Sequence, residues 1–252
     1  MKTIFDSFRL DGRKALVTGS SRGIGRAIAF ALGQAGAKVV FHGSHVSPKL
    51  TDAVETAKSE GIAAETATGD LSDPEAVANL AKNAGAVDIL VLNASVQKYQ
   101  SIDRFDPEEF SRQFQVNVAA SLQLIEAVLP AMKAKKWGRI LAIGSVNQFR
   151  PAARLPVYSA TKAALENIVR NAARSYGPFG ITVNTLAPGV IATDRNAETL
   201  SHADTVETLL QGIPVGRFGQ AQDCAGMALL LCSEAGSYVT GANIPVTGGM
   251  HL

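Results

Sequence analysis

Only two cysteines, Cys224 and Cys232, occur in the 252 residues, eight apart in an apolar stretch with helical patterning. That spacing gives neither a disulfide framework nor a zinc site and reads as two reduced core thiols. Runs of like charge are also missing: 24 basic against 22 acidic residues leave a net charge of +2, so no electrostatic footprint for nucleic acid or a membrane surface is expected. The cluster Lys133, Lys135 and Lys136 suits a helix end, where cations complement the dipole. No apolar run nears the ~18 residues of a membrane span, and Met1 to Asp6 lack a signal core. A soluble, cytoplasmic protein with no nucleic-acid or membrane partner is therefore expected. None of the four histidines has a carboxylate or thiol companion at ligand spacing, His42 and His45 included, so no metal is expected. Linkers and low-complexity tracts are absent as well. With 46% hydrophobic residues, residues 1–252 are expected to form a single domain around one sizeable core.

What is present is an alternation of short β-branched runs with longer helical patterns. Lys14 to Thr18, Lys38 to His42, Ile62 to Thr68, Val87 to Asn93, Arg139 to Ser145, Ile181 to Leu186 and Asn243 to Val246 read as strands. Ile24 to Ala35, Pro48 to Glu60, Pro74 to Asn83, Pro107 to Lys135, Val157 to Tyr176 and Gln222 to Glu234 read as helices. Seven strands joined by crossover helices imply a mostly parallel sheet covered on both faces. A barrel of eight such units has similar length, and the first loop decides against it.

That loop, Thr18-Gly19-Ser20-Ser21-Arg22-Gly23-Ile24-Gly25, follows the first strand and opens the first helix. Glycines there let backbone approach a pyrophosphate, and the helix start offers unpaired N–H groups and a positive dipole end. The fold class expected is thus α/β, a Rossmann-type doubly wound sheet. The spacing of the glycines differs from the G-x-G-x-x-G fingerprint.

A second pattern carries proton chemistry. Tyr158 and Lys162 stand four apart in a helical stretch, so phenol and ammonium share a face. A cation ~4 Å from a phenol at an effective dielectric of ~20 is worth about 4 kcal/mol, or roughly three pKa units. That suffices to bring a tyrosine toward the range of a general acid/base.

These residues, taken in order, resemble the classical short-chain dehydrogenase/reductases. The resemblance rests on T-G-x-x-x-G-x-G at Thr18 to Gly25, Asp70 after the third strand, Asn93-Ala94 after the fourth, Asn117, Ser145, Tyr158-x-x-x-Lys162 and Pro188-Gly189-x-x-x-Thr193, and it spans nearly the whole chain. It implies an enzyme acting on CH–OH groups, in which Tyr158 exchanges a proton with the substrate oxygen and Ser145 hydrogen-bonds that oxygen. Lys162 would lower the phenol's pKa and hold the nicotinamide ribose together with Tyr158, and Asn117 would anchor a water leading from Lys162 to solvent. For the cofactor it implies Gly19, Ser21, Arg22, Gly23, Ile24 and Gly25 at the phosphates. Asp70 would hydrogen-bond the adenine amino group, Ile191 and Thr193 would contact the carboxamide, and Leu71, Asn93, Ala94, Pro188 and Gly189 would also bind the cofactor. A homotetramer is likewise implied. The chain departs from the family's Asn-Asn-Ala-Gly, having Leu92 for the first Asn and Ser95 for the Gly.

Cofactor choice is read at the end of the second strand, where NAD users carry an acidic residue. None is present in His42-Gly43-Ser44-His45. Arg22, with Ser44 and His45, can instead receive a 2′-phosphate, so NADP(H) is expected over NAD(H). The segments expected to line the substrate pocket carry Gln97 and Lys98, then Asn147, Gln148, Arg150 and Arg154, then Arg195 and Asn196, with a substrate loop near residues 190–215. Of these, Gln97, Asn147, Gln148 and Arg154 are the candidate substrate contacts. Their polar, cationic character favours a small-molecule substrate such as a sugar, sugar acid or keto acid. The opening Phe8 to Val17 with the glycine loop resembles the gluconate 5-dehydrogenase branch of the family, and equally the 3-oxoacyl-carrier-protein reductases. A 3-oxoacyl thioester reductase and a non-catalytic sensor of dinucleotide are the alternative readings.

Overall fold

Alternate side chains along each strand fall into two separate cores. Leu16, Val40, Leu90, Leu92, Ile140, Ala142, Ile181 and Val183 enter one; Ala15, Val17, Val39, Phe41, Ile89, Val91, Leu141, Ile143 and Leu186 enter the other. A period of two with both faces apolar is what a parallel sheet between helical layers requires. Each fully buried Leu, Ile or Val contributes about 1.5–3 kcal/mol of transfer free energy. The computed structural model describes residues 3–252.

The strands are β1 (Lys14–Val17), β2 (Lys38–Gly43), β3 (Ala64–Thr68), β4 (Ile89–Leu92), β5 (Gly138–Ile143), β6 (Ile181–Pro188) and β7 (Asn243–Val246). Their spatial order is β3-β2-β1-β4-β5-β6-β7, every pair parallel, with Leu16 opposite Val40 on one side and Leu90 on the other. The first core lies under α3 (Pro74–Ala84), α5 (Ala120–Lys135) and α6 (Pro156–Tyr176). The second lies under α1 (Gly23–Gln34), α2 (Pro48–Ser59) and α9 (Ala221–Cys232), which also holds both buried thiols. All seven expected strands and the doubly wound sheet are therefore present.

Two expectations need correction. The stretch Pro107 to Lys135 is not one uninterrupted α-helix: α4 (Pro107–Phe114) and α5 are joined by a π-helical turn over Gln115–Ala119. Such a turn accommodates one extra residue and re-aims the side chains around it. The same stretch holds a window apolar enough, by length and composition alone, to cross a membrane. Here Leu124, Ile125, Val128, Leu129 and Met132 spend that apolarity on the first core. The expected substrate loop also has structure of its own, a 3-10 turn at Asp194–Asn196, then α7 (Ala197–Leu200) and α8 (Ala203–Gln211).

Candidate active site

β1 and β4 are neighbours although the chain forms β2 and β3 between them, so the loops leaving their carboxyl ends diverge and open a crevice. The two loops pack closely and are joined by side-chain-to-backbone hydrogen bonds. A Cβ on Gly19, whose φ is +62°, would lie 3.0 Å from Ala94 Cα, and one on Gly25 would meet Asn93 Nδ2 at 2.4 Å. Only glycine fits at either place. Thr18 Oγ1 accepts the N–H groups of Asn93 (2.9 Å) and Ala94 (3.0 Å), while Asn93 Nδ2 donates to the carbonyls of Thr18 (2.8 Å) and Gly19 (3.0 Å).

His42 ties this loop to β2 and β3. Its Nδ1 accepts the Gly19 N–H at 3.1 Å, and its Nε2 lies 3.0 Å from the Gly69 carbonyl. Because a backbone N–H can only donate, Nδ1 is the unprotonated nitrogen and Nε2–H donates. Burial lowers the pKa of His42, and that keeps the neutral ring both bonds require. Ser20 Oγ accepts the His42 N–H at 2.9 Å. His42 has no part in the sequence reading beyond an unsupported ligand candidate; its position at the end of β2, facing the glycine loop, was its only signal.

The loops bound a cleft of about 810 Å³, at the upper end of ordinary ligand sites. A dinucleotide fits its residues. α2, α3 and α4 begin with side-chain caps from Ser47, Asp73 and Asp106, whereas Arg22, at the start of α1, supplies none, leaving the first-turn N–H groups directed at the cleft for an anion. Gly19, Ser21, Arg22, Gly23, Ile24, Gly25, Ser44, Asp70, Leu71, Asn93, Ala94, Pro188, Gly189, Ile191 and Thr193 all line it. His45 does not: it is exposed, and its Nδ1 turns to the Ser44 hydroxyl at 3.0 Å. Asp70 caps locally, accepting the N–H and hydroxyl of Ser72 at 2.9 and 2.8 Å, which lowers its pKa.

At the other end of the cleft, β5 stops at Ile143 and Ser145 caps a short 3-10 turn, Val146–Gln148. Ser145 Oγ accepts the Asn147 N–H at 3.2 Å. α6 crosses this point and presents Tyr158 and Lys162, 6% and 2% exposed. Lys162 Nζ donates to the Ile143 carbonyl at 2.7 Å and lies 5.6 Å from the centre of the Tyr158 ring. Ser145, Tyr158, Lys162, Gln97, Asn147 and Arg154 all line the cleft. Tyr99 Oη and Thr199 Oγ1, 3.3 Å apart, link its wall to α7.

Two further expected residues stand behind the lining. Asn117, in the π turn and 1% exposed, accepts the Val96 N–H (2.8 Å) and donates to the Val96 carbonyl (2.9 Å) and Thr161 Oγ1 (3.0 Å). Thr161 in turn donates to the Tyr158 carbonyl at 2.7 Å. Asn117 thus staples the loop after β4 to the turn of α6 between Tyr158 and Lys162. Gln148 is turned away from the cleft: its Oε1 accepts the Ser145 N–H at 3.2 Å and its Nε2 donates to Glu166 at 3.1 Å. It holds Ser145 and is outside the cleft lining.

The electrostatics differ from the spacing argument. The pKa of Tyr158 is raised, burial being the largest cause; the charge of Arg195 acts against it, followed by hydrogen bonding with Ser145, Ser95 and Arg195. Lys162 is lowered to about 7 by burial and then by Arg195. The lysine is aimed at β5, and the cation acting on the phenol is Arg195, from the turn after Thr193. Lysine-to-tyrosine spacing carries no information about either.

Residues 19–251 match the family model described as enoyl-(acyl carrier protein) reductase. Over 248 residues the chain is 40% identical to the 3-oxoacyl-(acyl-carrier-protein) reductase of Pseudomonas aeruginosa, covering 96% of this chain and 99% of that protein. Among solved structures it is similar to a 3-oxoacyl-(acyl-carrier-protein) reductase from Agrobacterium tumefaciens with NADP bound. That likeness has a TM-score of 0.94 at 40% identity, over 98% of this chain and 97% of the other. It is also similar to a gluconate 5-dehydrogenase from Burkholderia cenocepacia in complex with NADP and tartrate, with a TM-score of 0.93 at 33% identity over 98% of each chain.

Proposed function

Since this chain belongs to the short-chain dehydrogenase/reductase family, we propose that it is an NADP(H)-dependent oxidoreductase interconverting a carbonyl and a secondary alcohol. The observation that carries this is the meeting of Ser145, Tyr158 and Lys162 in one cleft with the glycine loop. The nicotinamide, when bound, supplies or accepts the hydride. The remaining work falls to the chain. Burial keeps the Tyr158 phenol protonated, the state that gives a proton to the carbonyl oxygen during reduction. The Ser145 hydroxyl donates to the same oxygen and stabilises its developing charge. Lys162, pinned to Ile143, holds the ribose with Tyr158, and Asn117 keeps the segment between them in place.

Arg22 and Ser44 receive the 2′-phosphate, Asp70 and Leu71 flank the adenine, and Ile191 and Thr193 hold the carboxamide. NADP is bound in similar structures, which supports this preference, as does the lack of an acidic side chain after β2. The chain acts as one dinucleotide-binding unit whose segment 190–215 covers the substrate. It works in the cytoplasm as a homotetramer, a reading supported by the exposed apolar side chains Ile102, Phe105, Phe110 and Leu122 near α4 and α5.

A small polar substrate, a sugar, sugar acid or keto acid, suits Gln97, Asn147 and Arg154 in the wall. The similarity to 3-oxoacyl-(acyl-carrier-protein) reductases favours a second reading, an acyl thioester. An NADPH- and NADH-linked screen over keto acids, sugars, sugar acids and acyl thioesters separates the two. Turnover of small polar carbonyls with NADPH is expected, whereas activity confined to long acyl thioesters would overturn the substrate assignment.

A further inference from the structure

Four arginines line the cleft, and one of them acts directly on the Tyr158 phenol. Arg22 pairs with Asp194 at 3.4 Å, Arg112 with Glu109 at 3.0 Å, and the guanidinium of Arg154 lies 4.9 Å from the centre of the Tyr99 ring. The two acidic residues that line the cleft are engaged as well. Asp70 accepts from Ser72, and Asp194 accepts from Lys49 and Arg22. Arg195 is different. Its Nη1 donates to Ser95 Oγ at 2.9 Å and its Nη2 to the Ser95 carbonyl at 2.6 Å, and among the described residues no carboxylate pairs with it. A guanidinium has five N–H donors; Ser95 takes two and the Tyr158 phenol is within hydrogen-bonding reach, and the remaining N–H groups are open to a ligand.

Its location is fixed from two sides. Ser95 follows Ala94 in the loop after β4, where the family pattern has glycine, and it gives both its hydroxyl and its carbonyl to hold the fork. Asp194, the preceding residue, is drawn the other way, onto Lys49 and Arg22 beside the glycine loop. Held by Ser95, Arg195 lines the same cleft as Tyr158 and Lys162 and interacts with both.

Resting on the oxidoreductase reading above, we propose that Arg195, positioned by Ser95, is a specificity-determining residue that binds a carboxylate of the substrate, so the compound reduced is an oxo acid bearing its carboxylate within a few bonds of the carbonyl. Arginine and carboxylate meet as two parallel charge-assisted hydrogen bonds, which fixes orientation as well as affinity. The pairing also neutralises the charge that Arg195 otherwise directs at Lys162, leaving the lysine freer to carry its own proton when substrate is present.

The test uses matched probes with NADPH: pyruvate against methyl pyruvate, acetoacetate against methyl acetoacetate, and 5-ketogluconate against its methyl ester. Wild type is expected to favour at least one free acid over its ester. Losing one charged hydrogen-bonding partner is worth about 1.5–3 kcal/mol, or roughly 10- to 150-fold. Arg195→Gln is therefore expected to lower that acid-to-ester ratio of kcat/KM by about 10- to 150-fold. Arg195→Lys should restore part of it. Ser95→Gly, which leaves the charge but frees the fork, should act mainly by raising KM for the acid. Equal use of acids and esters by wild type, or a ratio unmoved in Arg195→Gln, would overturn the assignment and leave carbonyl reduction intact. Absence of turnover with every acid, ester, sugar and thioester would instead overturn the oxidoreductase reading on which it rests.

Discussion

Replacing Tyr158 with Phe is expected to lower kcat for NADPH-dependent reduction by about 10²- to 10⁴-fold, the range a positioned proton donor contributes. The substitution removes one oxygen atom from a ring that is 6% exposed and packed on α6, so the packing survives and the loss reports the proton. NADPH affinity, followed by nucleotide fluorescence, should weaken by less than about tenfold, since one neutral hydrogen bond contributes about 0.5–1.5 kcal/mol. A kcat within threefold of wild type would remove Tyr158 from the chemistry and favour a protein that only senses the nucleotide.

The second large effect concerns the cofactor. Arg22→Ala is expected to lower the NADPH-to-NADH ratio of kcat/KM by about 10- to 150-fold, from the loss of a charged hydrogen bond to the 2′-phosphate worth about 1.5–3 kcal/mol. Arg22 is available for this role because its contact with Asp194 is weak. The two lie 3.4 Å apart, with side chains 59% and 55% exposed, and exposed pairs of this kind contribute at most about 1 kcal/mol. Asp194 also keeps Lys49 as a partner, so releasing Arg22 does not strand a carboxylate. Comparable kcat/KM with NADH and NADPH in wild type would contradict the assignment.

The scaffold of this site is legible in the sequence to different depths. Strands buried on both faces, such as Ile89–Leu92, announce themselves as apolar runs, and Pro48, Pro74 and Pro107 mark where helices begin. The glycine loop is legible because Gly19 and Gly25 answer a steric demand that only glycine meets. Long-range hydrogen bonding leaves no such trace. Asn117 acts through Val96 and Thr161, 21 and 44 residues away, and His42 reaches Gly19 across 23 residues. Local periodicity also cannot distinguish a π turn from an α-helix, since Gln115–Ala119 keeps the apolar pattern of its flanks. Gln148 and His45 are outside the cleft lining for a related reason: closeness in sequence to Ser145 and Ser44 says nothing about which way a side chain turns. Proton affinities leave no local trace either. The spacing of Tyr158 and Lys162 is right, but burial raises the phenol's pKa and the charge opposing that rise comes from Arg195, and both are properties of the assembled fold.

The central claim is that Tyr158 moves a proton while hydride is transferred, and the pH dependence of kcat/KM in both directions tests it most directly. Reduction requires the phenol and oxidation the phenolate, so the two profiles should have opposite slopes, reduction falling and oxidation rising as pH increases. Both limbs should be missing from the residual activity of Tyr158→Phe. Profiles with the same slope in both directions, or limbs retained in Tyr158→Phe, would contradict the account.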